Sequence, residues 1–219
     1  MVEAHFPSVL IATPCYGGNM HVGYYRGLEL IRNELNDAGV EYDMLITEGE
    51  SNVCRARNTM VATFLNKTDY DVLAFIDSDI EFHSGEDFFN LLVDKTGVRG
   101  AAIACKTRDG SELLSCWKDG HSLKRNLMVE PHISVDYLGS AVLLIDRDVI
   151  KTLWSEHTFL SVDDPVYGEY PALFENAIVE KIYLTEDFSF CHLARQSGYE
   201  IFADTRVKCT HHGSFGLLW

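Results

Sequence analysis

Short apolar segments alternate with amphipathic helical patterns over the first half of the chain, and this alternation constrains the fold most strongly. Between the segments, apolar residues recur every three or four positions, as on one face of a helix. A β-α-β-α-β-α-β order with right-handed crossovers predicts a parallel sheet with helices on both faces. The predicted strands of this half are 9–12, 41–47, 72–76 and 98–105.

The second half of the chain is less regular, and its short strand patterns at 113–117, 133–138 and 141–145 predict mixed strands added to the same sheet. A helix is predicted from Asp146 to Trp154, with Asp146 as its N-cap, and another over 186–196. In the first half, Ser84 and Asp87 have the spacing of a capping box for a helix that ends at Leu92.

The segment 155–184 has weak periodicity and is interpreted as a long irregular loop region. The predicted fold class is therefore α/β, with a mostly parallel, Rossmann-like central sheet, helices on both faces and a small mixed-strand extension. We expect one domain over 1–219, with a first half at 1–110 and a second at 111–219. The end at Leu217-Leu218-Trp219 suggests a piece of a longer protein.

The charge of the chain limits its partners. The 219 residues include 18 Lys and Arg against 33 Asp and Glu, a formal net charge of −15. This charge argues against nucleic acid, and an anionic small ligand would need a metal ion or a local arginine. Apolar runs are too short to span a bilayer, and the N-terminus has no signal-peptide pattern. Six cysteines without a C-x-x-C pair favour a reducing cytoplasm, although disulfides stay open.

Two carboxylates, Asp77 and Asp79, directly follow the predicted buried strand at 72–76. They lie at the carboxyl end of that strand, where open α/β sheets bind ligands. Carboxylate oxygens at this spacing suit one hard cation, Mg²⁺ or Mn²⁺, which can bridge to a diphosphate. The alternative is that both are solvated loop carboxylates.

The D-x-D spacing occurs twice more and is therefore weak on its own. Asp69 and Asp71 precede a strand and lie at its wrong end. Asp146 and Asp148 follow an apolar strand and compete seriously with the first pair, although Arg147 between them partly neutralises their charge. The helix N-cap predicted for Asp146 would also give it an ordinary structural role.

Three further positions hold side chains suited to chemistry, and each has a plain structural alternative. His211 ends a strand pattern and could complete a metal site with Asp79, or simply pack among apolar neighbours. Arg57 could bind phosphate, or form a surface ion pair. Glu186 and Asp187 begin a helix, where acidic residues are favoured by the macrodipole whatever their function, yet one could act as a general base.

The polar segments together resemble the GT-A family of nucleotide-sugar glycosyltransferases, in particular its family-2-like members, over nearly the whole chain. The segment after the first strand lacks the glycine patterns of a P-loop or a Rossmann turn. The matching segments, in chain order, are Thr13-Pro14-x-Tyr16, Ala56-Arg57-Asn58, Phe75-Ile76-Asp77-Ser78-Asp79, Gly139-x-Ala141, Glu186-Asp187 and His211-x-Gly213.

The resemblance implies a GT-A catalytic domain that moves a sugar from a UDP-sugar to a glycan hydroxyl with inversion, as a hexosyltransferase dependent on Mn²⁺ or Mg²⁺. It implies Asp187 as the base and Asp77, Asp79 and His211 as metal ligands. The family holds the nucleotide at positions that correspond here to Thr13, Pro14, Tyr16, Glu48, Arg57, Asp77 and Ser78.

A likeness to capsid-glycan transferases of chlorella viruses would further imply a viral protein, with rhamnose as the transferred sugar. One departure affects the acceptor side: many family members have arginine six residues after the base, where this chain has Leu193.

Two other functions stay open. A phosphohydrolase would use Asp77 as nucleophile and Asp79 as acid and base, and a binding module would hold a nucleotide or glycan without turnover.

Overall fold

A central seven-stranded sheet organises the structure, a computed structural model that describes residues 6–105, 113–124 and 130–213. The helices are α1 Val22–Ala38, α2 Val53–Lys67, α3 Gly85–Val93, α4 Arg147–Glu156 and α5 Glu186–Gln196. The strands are β1 Val9–Cys15, β2 Tyr42–Glu48, β3 Val72–Ile76, β4 Ile80–Phe82, β5 Val98–Ala101, β6 Leu113–Lys118, β7 His121–Lys124, β8 His132–Val135, β9 Tyr137–Leu138, β10 Val142–Asp146, β11 Ser161–Asp164, β12 Gly168–Pro171, β13 Ala177–Val179, β14 Ile182–Leu184, β15 Ile201–Asp204 and β16 Cys209–His211.

The central sheet is mainly parallel, which confirms the predicted fold class. Its strand order is β2-β1-β3-β10-β5-β15-β8. Five strands share one direction, while β10 and β8 run antiparallel to their neighbours. The antiparallel β10 lies inside the sheet between β3 and β5 rather than at its edge. The boundary predicted between residues 110 and 111 lies outside the described residues.

Each face of the sheet is covered by its own helices, because alternate residues of the central strands point to opposite faces. In β3, Leu73 and Phe75 pack into the cluster formed with α2, α4 and α5. Val72, Ala74 and Ile76 pack into the cluster formed with α1 and α3. All five β3 residues are buried, as the apolar run at 72–76 predicts.

Two arginines, the buried Arg99 and the half-buried Arg147, close the ends of helices at the edge of the sheet where β3 begins and β10 ends. The Arg99 guanidinium donates to the carbonyls of Leu91 and Leu92 in α3 and forms a 2.6 Å ion pair with Asp146. Asp146 also accepts the backbone N–H of Gly97 and makes no side-chain capping bond to α4. The carboxylate of Asp146 is therefore a structural partner of Arg99, which removes it as a rival metal ligand.

The second arginine, Arg147, has a similar role at the end of α2. It donates to the carbonyl oxygens of Phe64, Thr68 and Tyr70.

The predicted capping box of α3 is also replaced by tertiary contacts. Ser84 makes no capping bond, and Asp87 instead accepts the backbone N–H of Lys208.

The segment predicted as an irregular loop contains a 3₁₀ turn and two β-hairpins, β11–β12 and β13–β14. Side chains of α2 hold this segment. Asn66 donates to the carbonyls of Tyr167 and Glu169, and Asn58 bonds both the N–H and the carbonyl of Phe174. The order here comes from tertiary contacts, which the weak periodicity of the segment could not reveal.

All six cysteines are free thiols. Within the described ranges, the structure has no helix long and apolar enough to cross a membrane.

Helix α1 packs very closely on β4, the short strand that follows Asp79. Gly27 allows this approach, because an added Cβ would lie 2.5 Å from the backbone nitrogen of Phe82. Gly23 likewise faces the side chains of Glu81 and His212. The glycines of α1 therefore determine where β4 and the residues beside it can lie.

We predict that Gly27→Ala lowers the free energy of unfolding by about 1–3 kcal/mol, because the backbone of α1 or β4 must move. Urea unfolding followed by circular dichroism measures this change. Alanine is otherwise favoured over glycine in a helix interior by about 1 kcal/mol. The exposed Asn33→Ala variant of the same helix should therefore be neutral or stabilising, and equal stability of Gly27→Ala and the wild type would contradict the prediction.

Candidate functional site

A pocket of about 260 Å³ lies at the carboxyl ends of β1 and β3, the edge of the sheet where ligands are expected. Residues of β1 and the loop after it, the start of α2, and the turn after β3 form its walls. The lining residues are Pro14, Tyr16, Glu50, Ser51, Val53, Ala56, Arg57, Asp77, Ser78 and Asp79.

The pairing of β4 with β16 brings Asp79 and His211 together, although they are far apart in the chain. His211 lies opposite Ile80 in this antiparallel pair, and its Nε2 is 3.6 Å from Oδ1 of Asp79. The Nδ1 atom of His211 is 3.1 Å from the carbonyl oxygen of Ala104. Because a carbonyl only accepts, this contact assigns the proton to Nδ1 and leaves the lone pair of Nε2 facing Asp79.

The arrangement of Asp79 and His211 fits a divalent cation. Two ligand atoms that are each about 2.1 Å from one ion lie roughly 3.0–4.2 Å apart, depending on the angle between them. The observed 3.6 Å is within that range. A carboxylate oxygen and an imidazole nitrogen are suitable ligands for Mn²⁺ and Mg²⁺ sites of mixed character. Asp77, by contrast, directs Oδ1 to Arg57.

A second group of ligand-type atoms comprises Asp94, His132 and Asp204, whose side-chain atoms lie within 4.8 Å of one another. The guanidinium of Arg206 already balances one of the two carboxylate charges of this group, because its Nη2 is 2.6 Å from carboxylate oxygens of both Asp94 and Asp204. The positive charge of an arginine at this point opposes a metal ion. We therefore interpret the group as an ion-pair network.

Arg57 is the central cation of the pocket, and only 3% of its side chain is exposed. Its Nη2 donates to Asp77 at 2.9 Å, its Nε is 3.6 Å from Oε1 of Glu186, and its guanidinium lies over the ring of Phe75. Among the described residues, neither Nε nor Nη1 has a hydrogen-bond partner. Buried donors without partners are rare, so these two N–H groups indicate a binding site for an oxygen-rich ligand.

Two glutamates, Glu175 and Glu186, lie beside Arg57 and Asn58. Asn58 donates to Glu175 at 2.8 Å. Burial raises the pKa of Glu186, and the charge of neighbouring Asp187 adds to this effect. Burial also raises the pKa of Glu175. Sequence reasoning missed Glu175 because it lies in the aperiodic segment, and it left Glu186 without an assigned role.

Asp187, the predicted base, occupies the first turn of α5 next to Glu186. Its Oδ1 accepts the hydroxyl of Thr185 at 2.5 Å and the backbone N–H of Phe188 at 2.8 Å. Within the described ranges, Oδ2 makes no hydrogen bond. One oxygen is thus fixed by the helix start, and the other is available to accept a proton.

Some of the remaining predicted nucleotide contacts line the pocket, and others do not. Pro14, Tyr16 and Ser78 line the pocket. The hydroxyl of Thr13 is buried and bonded to Tyr24 at 2.6 Å, so its side chain lies beneath the pocket rather than in it. Glu48 is exposed and is not a lining residue, whereas Glu50, two residues later, is one.

A histidine pair supports the metal-ligating end of the pocket. The ring of His212 stacks on that of His21 with centroids 3.6 Å apart, and its Nε2 is 2.6 Å from Glu81. The hydrogen bond to His212, with help from Arg26, holds the pKa of Glu81 below its ordinary value. These contacts fix β4 and β16 to α1.

No protein-family model and no curated protein sequence matches the chain. A solved structure, A197 from STIV, superposes with a TM-score of 0.58 at 19% identity, over 94% of this chain and 86% of that chain. A Drosophila β-1,4-galactosyltransferase 7 mutant in complex with manganese, UDP-Gal and xylobiose gives a TM-score of 0.51 at 13% identity, over 94% of this chain and 71% of that chain. The chain has a GT-A-like glycosyltransferase fold.

A looser match to this GT-A-like fold is a glycosyltransferase involved in glycosylation of the major capsid of PBCV-1. Its TM-score is 0.37 at 13% identity, over 68% of this chain and 66% of that chain. The two stronger matches establish the fold, and the residues of the pocket must support any statement about activity.

We predict that Glu186→Gln stabilises the protein increasingly as the pH rises. The fold disfavours the ionised carboxyl of Glu186, so this unfavourable contribution is absent below its ordinary pKa of about 4.3, grows as the pH rises from there to the raised pKa, and is constant above it. Urea unfolding between pH 5 and pH 8, with a chelator present, gives the difference from the wild type. The exposed Glu156→Gln serves as control. A difference that stays constant with pH would count against the assignment.

Proposed function

We propose that this protein is a metal-dependent glycosyltransferase that moves a sugar from a UDP-sugar to a hydroxyl of a glycan acceptor with inversion. The proposal rests on one observation: Asp79, which is 3.6 Å from His211, and Arg57, whose buried Nη1 has no hydrogen-bond partner among the described residues, line the same strand-end pocket. The first suits a divalent cation and the second an oxyanion. A nucleoside diphosphate-sugar requires both.

The donor would lie in the pocket with its diphosphate between the cation and Arg57. Asp79 and His211 would hold Mn²⁺ or Mg²⁺, with Asp77 as a further ligand, and the ion would supply positive charge next to the leaving diphosphate. Nη1 of Arg57 would donate to a phosphate oxygen. Pro14, Tyr16 and Ser78 would contact the nucleotide, and Glu50, which lines the pocket, would take the role that the resemblance implies for Glu48.

Asp187 would act as the general base of the transfer. The acceptor hydroxyl oxygen bonds to the anomeric carbon from the face opposite the diphosphate, the bond from that carbon to the phosphate oxygen breaks, and UDP leaves with the bonding electrons. The hydroxyl proton passes to Oδ2 of Asp187 and then to solvent. The fixed Oδ1 holds the carboxylate in one orientation.

The finer details are proposals of the same kind. They comprise a first half that binds the nucleotide and a second half that binds the acceptor, hexosyl transfer, rhamnose as the transferred sugar in a viral capsid glycan, and a cytoplasmic location. The free cysteines are consistent with a reducing compartment. Arg195, the arginine nearest the departure at Leu193, pairs with Asp136 at 2.8 Å, so it is already engaged outside the pocket.

The phosphohydrolase alternative would need Oδ2 of Asp77 as its nucleophile, because Oδ1 accepts a hydrogen bond from Arg57. A binding module without turnover would have the same pocket. It would differ only in that Asp187 takes no proton from an acceptor hydroxyl.

We predict that UDP raises the melting temperature only in the presence of Mn²⁺. At a UDP concentration one hundred times its Kd, the stabilisation should be about 2.7 kcal/mol, or a rise of roughly 5–10 °C. Asp79→Ala and His211→Ala should each abolish the rise. Asp94→Asn is the matched control in the other group of ligand-type residues. Loss of the rise in Asp94→Asn, with retention in Asp79→Ala, would move the metal site to that group.

We predict that Asp187→Asn lowers the rate of sugar transfer by about 10²–10⁴-fold while leaving the stabilisation by UDP and Mn²⁺ unchanged. UDP release from a panel of UDP-sugars measures the rate. Asp148→Asn, an exposed carboxylate in the first turn of α4, provides the control. A wild-type protein that binds UDP but never transfers would instead identify a binding module.

A further inference from the structure

Three carboxylates lie near the Arg57-Asn58 segment of α2: Glu175, Glu186 and Asp187, here named the carboxylate cluster. Glu186 and Asp187 begin α5, and Nε of Arg57 is 3.6 Å from Glu186. Glu175 comes from the segment between the two hairpins, and Asn58 of α2 bonds its carboxylate. The cluster therefore combines three carboxylates from two separate parts of the second half of the chain.

Both glutamates contact adjacent residues near the start of α2, Glu175 through Asn58 at 2.8 Å and Glu186 through Arg57 at 3.6 Å. Burial raises the pKa of Cys54, and the charges of Glu175 and Glu186 raise it further. The start of α2 also forms the wall of the strand-end pocket through Val53 and Ala56. The carboxylate cluster is therefore next to the proposed donor site and not on a distant surface.

Little positive charge balances the cluster. Arg57 is the cation that contacts it, and Arg57 already donates from Nη2 to Asp77. Arg55, two residues before it, pairs with Glu50. A metal ion held by Asp79 and His211 would neutralise the donor side of the pocket and leave the carboxylate cluster negative.

The buried Nε of Arg57 provides a second indication of a ligand here. It faces Glu186, lacks a hydrogen-bond partner among the described residues, and belongs to a side chain that is only 3% exposed. A hydroxyl group can bond to Nε and to the carboxylate of Glu186 at once, because its O–H donates to the carboxylate while its oxygen accepts from Nε. A carboxylate, sulfate or phosphate group could only accept, and it would meet like charges.

We propose that the acceptor is an uncharged, polyhydroxylated sugar ring, that Glu175 and Glu186 accept hydrogen bonds from its hydroxyl groups, and that the carboxylate cluster excludes acceptors with an anionic group on that ring. This proposal rests on the proposed transferase function and adds the chemical class of the acceptor. Glu175 is its specificity-determining residue, since it lies beside Asn58 and outside the proposed metal and base positions.

The test compares matched glycosides that differ only at C6. Methyl β-D-glucopyranoside and methyl β-D-galactopyranoside are each paired with the corresponding methyl uronide, which has a carboxylate in place of the CH₂OH group. UDP release from UDP-rhamnose, UDP-glucose and UDP-galactose with Mn²⁺ is measured above the rate without acceptor. We expect a neutral glycoside to accelerate release at least tenfold more than its uronide. Equal use of the uronide, or no acceleration by either neutral glycoside, would overturn the proposal.

The Glu175→Gln variant tests the residue itself, because the amide oxygen of glutamine can still accept the hydrogen bond from Asn58. We expect the preference for the neutral glycoside over the uronide to fall about tenfold, the change that removing one nearby like charge produces. Glu156→Gln, which changes the net charge equally at an exposed position, should leave the preference within twofold. An unchanged preference in Glu175→Gln would overturn the assignment of Glu175.

The two failures are distinguishable. Loss of the proposed function would appear as absence of Mn²⁺-dependent stabilisation by UDP, a measurement that involves no acceptor. Intact stabilisation by UDP with equal use of neutral glycosides and uronides would overturn only the acceptor class.

Discussion

The guanidinium of Arg57 lies between two carboxylates that come from different halves of the chain, Asp77 after β3 and Glu186 at the start of α5. Each contact involves a group that is largely or wholly removed from water, and two donors of Arg57 stay unpartnered among the described residues. An unsatisfied buried donor destabilises a fold by about 1–3 kcal/mol. The fold tolerates this arrangement at the pocket because a ligand can satisfy these donors, and both the donor and acceptor sides depend on where Arg57 is held.

The sequence predicts a helix or strand correctly where the residues of that element themselves determine its structure. The apolar run of β3 and the alternation of the central strands require burial on both faces, and the structure has that burial. An apolar run has no direction, however, so the antiparallel position of β10 inside the sheet could not be predicted. The helices begin after Ser84 and Asp146 as predicted, but the predicted side-chain capping bonds are absent, because Asp87 and Asp146 bond to Lys208 and to Gly97 and Arg99 instead.

The candidate site shows the same division between local and distant causes. Spacing alone could not separate Asp77 and Asp79 from Asp146 and Asp148, since both pairs follow apolar strands; the buried Arg99 separates them by engaging Asp146. Glu175 could not be found because its segment has no period, and its position depends on Asn58, 117 residues earlier in the chain. The residues that define the acceptor side are thus the ones whose placement depends most on tertiary contacts.

Acidity has opposite consequences on the two sides of Arg57. A diphosphate could approach Asp77, Asp79 and Glu50 only with a cation, so in a chain with a net charge of −15 the proposed donor side would depend on a metal. Around Glu175 and Glu186 the structure offers nitrogen donors from Asn58 and Arg57. The carboxylates of Glu175 and Glu186 can therefore bind only hydroxyl donors or a cationic group of a ligand. In the proposed reaction, the carboxylates on one side of Arg57 would bind an anionic donor through a metal ion. The carboxylates on the other side would bind the hydroxyl groups of an uncharged acceptor without a metal.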